Sequence, residues 1–275
     1  MIILGGSSRQ SLATLRIELD STLKGVSADQ ASAIANDLFA ALVGIDSSTG
    51  LRRALTDSAR DGASKAELVS DLFKSSLGAP ALALLGKASS LRWSSPSGIG
   101  DAVEQIAVEA EASAANLSDS LDRVQSEIFL FSKLLVESPD LRIALSDRSQ
   151  SPAAKQALLK SIFGGKFSSS TSVLISHCVE ARRVRSIEKT IAAYTHAVTA
   201  RRNRVNAHIK SSIALSDGQA KKLADSLTKQ IGQPVHLNIE IDPSVLGGIS
   251  IRFGDEVIDG TISNRLAEAS RALVS

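Results

Sequence analysis

Four histidines, one cysteine and two clusters of arginine are where any chemistry of this chain would have to sit. His177 and Cys178 are neighbours, the pairing that invites a thiol nucleophile and an imidazole base. On a helix, adjacent side chains point about 100° apart, and adjacency alone does not make a triad. The pair reads instead as a buried thiol beside a surface imidazole. His196, His208 and His236 stand at no metal-ligand spacing from a Cys, Asp or Glu cluster. Gly164-Gly165-Lys166 loosely resembles a phosphate loop. That loop needs two glycines five apart, then Lys-Ser/Thr, behind a buried strand. Here the glycines follow a helical pattern and read as its stop. No catalytic, cofactor-binding or metal-binding constellation is left.

The basic residues cluster as Arg182, Arg183 and Arg185 at one helix end and Arg201, Arg202 and Arg204 at the next. Such clusters suit phosphates, acidic partner helices, or helix C-terminal dipoles. With one Tyr (Tyr194) and one Trp (Trp93), there is no aromatic interleaving for base stacking. Gly247-Gly248 and Gly254-Asp255 read either as a shaped binding edge or as backbone geometry that only glycine permits.

The elements that carry these residues are mostly helical. The composition is 43% hydrophobic but only 3% aromatic, so Leu, Ala, Val and Ile must fill the cores, which suits closely packed helices. A net charge of +2 argues neither for nor against a polyanionic partner. One cysteine excludes an internal disulfide and fits a reducing compartment. No apolar run approaches the roughly 18 residues of a membrane span, and Met1–Gly6 lacks the basic start of a signal peptide.

The strongest internal signal is a repeat. Residues 51–73 and 141–163 align without a gap, 90 positions apart, with nine identical pairs, among them Leu51/Leu141, Asp57/Asp147, Lys65/Lys155 and Phe73/Phe163. Average residue usage would give roughly two. The register reaches back to Phe39/Phe129. Helical periodicity predicts helices at Ser7–Leu23, Asp29–Val43, Leu51–Ser58, Ser64–Ser76 and Ala81–Leu91. Ser94–Gly100 reads as a linker. Asp101–Glu137 follows as a long helical stretch, whole or broken, with a slim Ala107/Ala110/Ala114 face. Then come Leu141–Ser146, Ala153–Phe163, Ser170–Arg183 and Ile187–Asn203. From Arg204 the period shortens to two: strands at Val205–Ile213, Val235–Ile241 and Ile249–Phe253, a helix at Asp217–Ile231, a turn into Val257-Ile258, and a closing helix from Thr261. The expected fold class is α+β. Two tandem all-α helical bundles (1–96 and 97–203) precede a small β-α-β-β-α domain (204–275).

The run Ile241-Asp242-Pro243-Ser244-Val245-Leu246-Gly247-Gly248-Ile249-Ser250-Ile251, continuing through Gly254-Asp255-Glu256-Val257-Ile258-Asp259-Gly260-Thr261 and Arg265-Leu266, closely resembles the C-terminal signature of the F-type ATP synthase delta subunit, the oligomycin-sensitivity-conferring protein family. Ala214-Leu215-Ser216, Ser138-Pro139-Asp140-Leu141, Lys155, Leu158-Leu159 and Ile162-Phe163 also resemble that family, over roughly residues 101–273. The additional N-terminal copy, about residues 7–95, resembles the actinobacterial branch, where the delta region is often fused behind a b-type membrane helix. No such helix is seen in this sequence.

The resemblance implies a non-catalytic peripheral-stalk, or stator, subunit that couples proton transport to ATP synthesis. It implies a peripheral protein at the cytoplasmic face of the cell membrane, with no cofactor, no direct nucleotide, no nucleic acid and no membrane span. In the family, the helical domain receives N-terminal helices of the alpha subunits and the C-terminal domain receives the end of the b-type stalk. An amphipathic helix in a bundle groove would supply the first contact. The candidate groove lies between the helix starting near Asp101 and Ser170–Arg183, where Val173, Leu174 and Val179 face it or form plain core. For the stalk, the candidates are Leu223, Leu227 and the closing helix with Leu266 and Leu273. A helical nucleic-acid or regulatory binding module using the Arg clusters is the alternative, and a soluble enzyme the third reading.

Overall fold

A computed structural model describes residues 6–147, 149–180, 186–202, 205–231, 235–242, 245, 247–253 and 256–259. The chain divides into two compact units, one ending at Arg201 and one beginning at Arg202.

The first unit is built from helices α1 (Gly6–Thr22), α2 (Ala28–Ser47), α3 (Thr49–Thr56), α4 (Gly62–Phe73), α5 (Ala79–Ser90), α6 (Gly98–Leu117), α7 (Leu121–Glu137), α8 (Pro139–Ser146), α9 (Pro152–Phe163), α10 (Ser169–Glu180) and α11 (Ile187–Arg202). The repeat holds in the element boundaries: α3, α4 and α5 begin and end 90 positions before α8, α9 and α10. Local chemistry repeats with it. Asp57 accepts from the Ala59 backbone N–H at 2.9 Å, and Asp147 from that of Ser149 at 2.8 Å. Asp61 caps α4 through the Ser64 N–H, and Ser151 caps α9 through that of Ala154. Leu55 and Leu145 are both buried. Gly164 is the C-cap of α9, as the sequence predicts.

The two expected bundles do not separate near residue 96. One continuous apolar core runs from Leu12 to Val198. The physical reason is α6. It closes the first copy, packing on α1, α2 and α5, and opens the second, packing on α7 and α10. It is buried around its whole circumference, which its alanines at 102, 107, 110, 112, 114 and 115 allow by keeping it slim. The Ser/Gly-rich run before it is packed. Ser11 donates to the Arg92 carbonyl at 2.6 Å, the Ser94 N–H donates to Ser8, and the Trp93 indole donates to the Ala88 carbonyl at 2.9 Å. A Cβ on Gly98 would lie 3.1 Å from the Ser8 hydroxyl, so glycine lets α6 start against α1. The long stretch expected over Asp101–Glu137 is two helices, broken where Asp119 takes a positive φ of 53°.

The second unit holds β1 (Val205–Ser211), α12 (Asp217–Ile231), β2 (Val235–Ile241), β3 (Ile249–Phe253) and β4 (Glu256–Asp259). The sheet order is β2-β1-β3-β4. β1 and β2 are parallel, which requires a crossover, and α12 supplies it. β3 lies antiparallel to both β1 and β4. Ile209 pairs with Ile239 on one side and Ile251 on the other, and Ile209, Ile251 and Leu227 form the buried centre. Val257-Ile258, read as following a turn, lies in a fourth strand. Gly247 and Gly248 take φ of 69° and 81°, values that side chains disfavour. The Gly254-Asp255 turn and the closing helix from Thr261 lie outside the described residues.

The copies differ at the repeat pair Phe39/Phe129. Phe39 on α2 is 1% exposed and Phe129 on α7 is 69% exposed. Phe39→Ala is expected to cost about 3–5 kcal/mol, and Phe129→Ala to stay within about 0.5 kcal/mol. Denaturant unfolding of both variants, followed by helical circular dichroism, checks this difference.

Candidate functional site

His177 and Tyr194, two of the residues that sequence reading singles out, lie at the junction between the two copies. α2 lies along both α6 and α10 there. At one end the Ser32 hydroxyl donates to Glu111 on α6 at 2.8 Å. The Ser170 hydroxyl of α10 hydrogen-bonds the same carboxylate. Seven residues further along both α2 and α10, Phe39 stacks on His177 with ring centroids 3.9 Å apart and planes 14° from parallel. So α2 and α10 run in parallel, in step over two turns. Phe39 also meets Tyr194 of α11 in a tilted contact at 6.4 Å. The Tyr194 hydroxyl donates to Glu104, seven residues back from Glu111 on α6, at 3.3 Å.

Each buried carboxylate of α6 is therefore served from other helices, no two of them from the same one. The third, Glu109, receives Arg16 of α1, whose Nε and terminal nitrogen both lie 2.7 Å from the same carboxylate oxygen. Burial holds the Glu111 carboxyl above the ordinary carboxylate range, opposed by the Ser170 and Ser32 hydrogen bonds. Asp20 of α1 and Arg201 of α11 form a further, mostly buried ion pair across the copies. Beside the Phe39–His177 stack is a cavity of about 510 Å³ lined by Leu42, Val43, Asp46, Pro152, Glu180 and Tyr194 among others.

His177 is thus not a surface imidazole. It is wedged between copies, and burial pushes its pKa down from 6.5 to about 4. Cys178 is buried, with its thiol toward the Ile187 carbonyl at 3.9 Å. The two groups act in packing, on different sides of α10. The signal that could have found this was the Phe39/Phe129 repeat pair, but which helix covers Phe39 is a tertiary matter.

The predicted groove is not open. Leu174 and Val179 are buried in the shared core, and Val173 is half-buried against it. The physical reason is that α2 of the first copy already lies across α6 and α10. Leu227 faces the sheet core of the second unit, and Leu223 packs beside it. Leu266 and Leu273 lie outside the described residues, as do Arg182, Arg183, Arg185 and Arg204. Among the described residues no group of three or more His, Cys, Asp or Glu is placed to hold a metal, and no helix is long and apolar enough to cross a membrane.

A sequence model of the family described as ATP synthase delta (OSCP) subunit matches residues 108–273. The chain belongs to that family. The match begins inside α6, so the first copy lies outside it. Full-length relatives nevertheless carry a counterpart of that copy. The protein named ATP synthase subunit delta from Streptomyces coelicolor is 38% identical over 270 residues, covering 98% of both chains. That of Kineococcus radiotolerans is 37% identical over 268 residues, covering 98% of this chain and 97% of its own. A chain in the Toxoplasma gondii mitochondrial ATP synthase hexamer matches 61% of this chain and 97% of its own at 17% identity, with a TM-score of 0.27.

For the junction of this delta-family chain, a neutral His177 is bound more tightly than a charged one. The unfolded chain takes up a proton near pH 6.5, the folded chain only near pH 4. The contribution is therefore intact above about pH 6.5 and is lost as pH falls to about 4, by up to about 3 kcal/mol. Subtracting the pH–stability curve of His177→Gln from that of the unaltered chain should leave this slope, and parallel curves would contradict it.

Proposed function

We propose that this chain is a non-catalytic stator subunit of an F-type ATP synthase. It ties the catalytic head to a membrane-anchored b-type stalk, so that proton-driven rotation yields ATP instead of turning the head. The observation that carries this reading is the end-to-end alignment with relatives named ATP synthase subunit delta. The packing is in keeping with it. The buried polar groups of the first unit are spent on bracing helices to one another: Glu104, Glu109 and Glu111 on α6, and Asp20 with Arg201. A joint under torque needs one stiff body with contacts at both ends, where linked modest contacts raise effective affinity.

In this reading the helical unit takes N-terminal helices of the alpha subunits, and the C-terminal unit takes the end of the b-type stalk. The protein sits peripherally at the cytoplasmic face of the cell membrane, and neither nucleotide nor nucleic acid binds it directly. The nucleic-acid alternative is weakened at Arg201, whose guanidinium is committed to Asp20 and largely buried.

The test uses membrane vesicles from cells lacking the chain. ATP hydrolysis by the head should persist while proton-driven ATP synthesis collapses, and adding back the purified chain should restore synthesis. Normal synthesis yield without the chain would refute the proposal.

A further inference from the structure

We propose that the cavity between α2 and α10 is a binding site for a small organic cation, one that joins an ammonium group to an aromatic or aliphatic body. The site belongs to the junction of the two copies, and the proposal does not depend on the stator reading.

The cavity measures about 510 Å³, within the range of about 300–1,000 Å³ typical of small-molecule sites. It is lined from both copies: Val43 and Asp46 stand on α2, Glu180 on α10 and Tyr194 on α11. Much of its wall is ring and hydrocarbon. Phe39 and His177 lie there stacked on each other at 3.9 Å. The Tyr194 hydroxyl is committed to Glu104, so Tyr194 offers the cavity its ring. Aromatic faces attract a cation. His177 does not repel one, because burial holds its pKa near 4 and leaves it neutral at neutral pH.

The charge of the lining has one sign. Asp46 and Glu180 are its two carboxylates, and no Lys or Arg stands among the described lining residues. The Gln156 amide donates to Glu180 at 2.6 Å, and a carboxylate can accept further hydrogen bonds beside that one. Arg52 offsets part of the Asp46 charge. Its guanidinium donates to the Ile45 and Asp46 carbonyls at 3.2 and 2.7 Å and comes only to 3.9 Å from the Asp46 carboxylate. The first residue of α9, Pro152, also lines the cavity, and a proline has no N–H to offer an anion.

The repeat shows that this acidity belongs to the junction and not to the module. Ninety positions away, Val136 stands for Asp46, Ser90 for Glu180 and Lys87 for His177. An apolar group, a hydroxyl and a cation thus replace two carboxylates and a neutral ring. An anion in the cavity would meet two like charges, and a neutral apolar molecule would gain nothing from them. A cation with an apolar body uses both the rings and the carboxylates.

The experiment titrates the purified chain with 4-phenylbutylammonium, 4-phenylbutanol and 4-phenylbutanoate, following binding by ligand-observed NMR. The ammonium should bind with a Kd of about 1 mM or tighter, about tenfold or more tighter than the alcohol, with the carboxylate weakest. Asp46→Asn combined with Glu180→Gln should bring the ammonium to within about twofold of the alcohol. Val43→Trp, at a position 63% exposed, should fill the cavity and weaken both ligands about tenfold or more, with helical content unchanged. An ammonium that binds no tighter than the alcohol, or that keeps its advantage in the double variant, would overturn the inference. Binding that Val43→Trp leaves untouched would place the ligand elsewhere and overturn it too, as would the absence of measurable binding.

Discussion

The burial of α6 on every side is the constraint on which the first unit depends. A helix with no exposed face must be slim, and its alanines make it so. It must also satisfy three buried carboxylates, because a buried charge without a partner costs several kcal/mol. Glu104, Glu109 and Glu111 meet that demand through Tyr194, Arg16, Ser32 and Ser170, which belong to four different helices from both copies. Pulling the copies apart would strip these carboxylates of partners and expose the apolar core together. The duplicated scaffold therefore behaves as one body, though each copy carries the local grammar of a bundle.

A duplication that shares a helix is not symmetric. Each copy offers one face that receives a neighbour's helix and another that gives one. At the internal junction the giving face is α2 with Phe39, and the receiving face is α6 with α10. Among the described residues, Ile17 of α1 at one end and Phe129 and Val136 of α7 at the other stay exposed. Repeat arrays end in such atypical faces. The His177 ring belongs to the same logic. Partial burial lowers its pKa to about 4, and it gives Phe39 a flat surface to lie on.

The C-terminal unit rests on a different device. A parallel pair needs a crossover, and α12 both supplies it and covers one sheet face with Leu223 and Leu227. Alternation along β1, β2 and β3 places Ile209, Ile239 and Ile251 side by side, so the inward set follows from the register. The family signature runs through this sheet, and Gly247 and Gly248 belong to it as backbone geometry, since both take positive φ.

The sequence by itself determined the local elements. Helical spacing of Leu and Ala, and the switch from a period of 3.6 to one of two, placed most helices and strands within a few residues. It determined the family as well, through a long string of glycines, aspartates and apolar positions. These are properties of short stretches of chain, written where they act. Only the tertiary structure decided that α6 serves both copies, that α2 fills the groove expected to be open, and that Phe39 is buried while its repeat partner Phe129 is not. A buried alanine and an exposed one are the same letter, and Phe39 and Phe129 occupy equivalent places in their helices. Which one meets another helix depends on segments more than a hundred residues away, and local pattern carries no record of that.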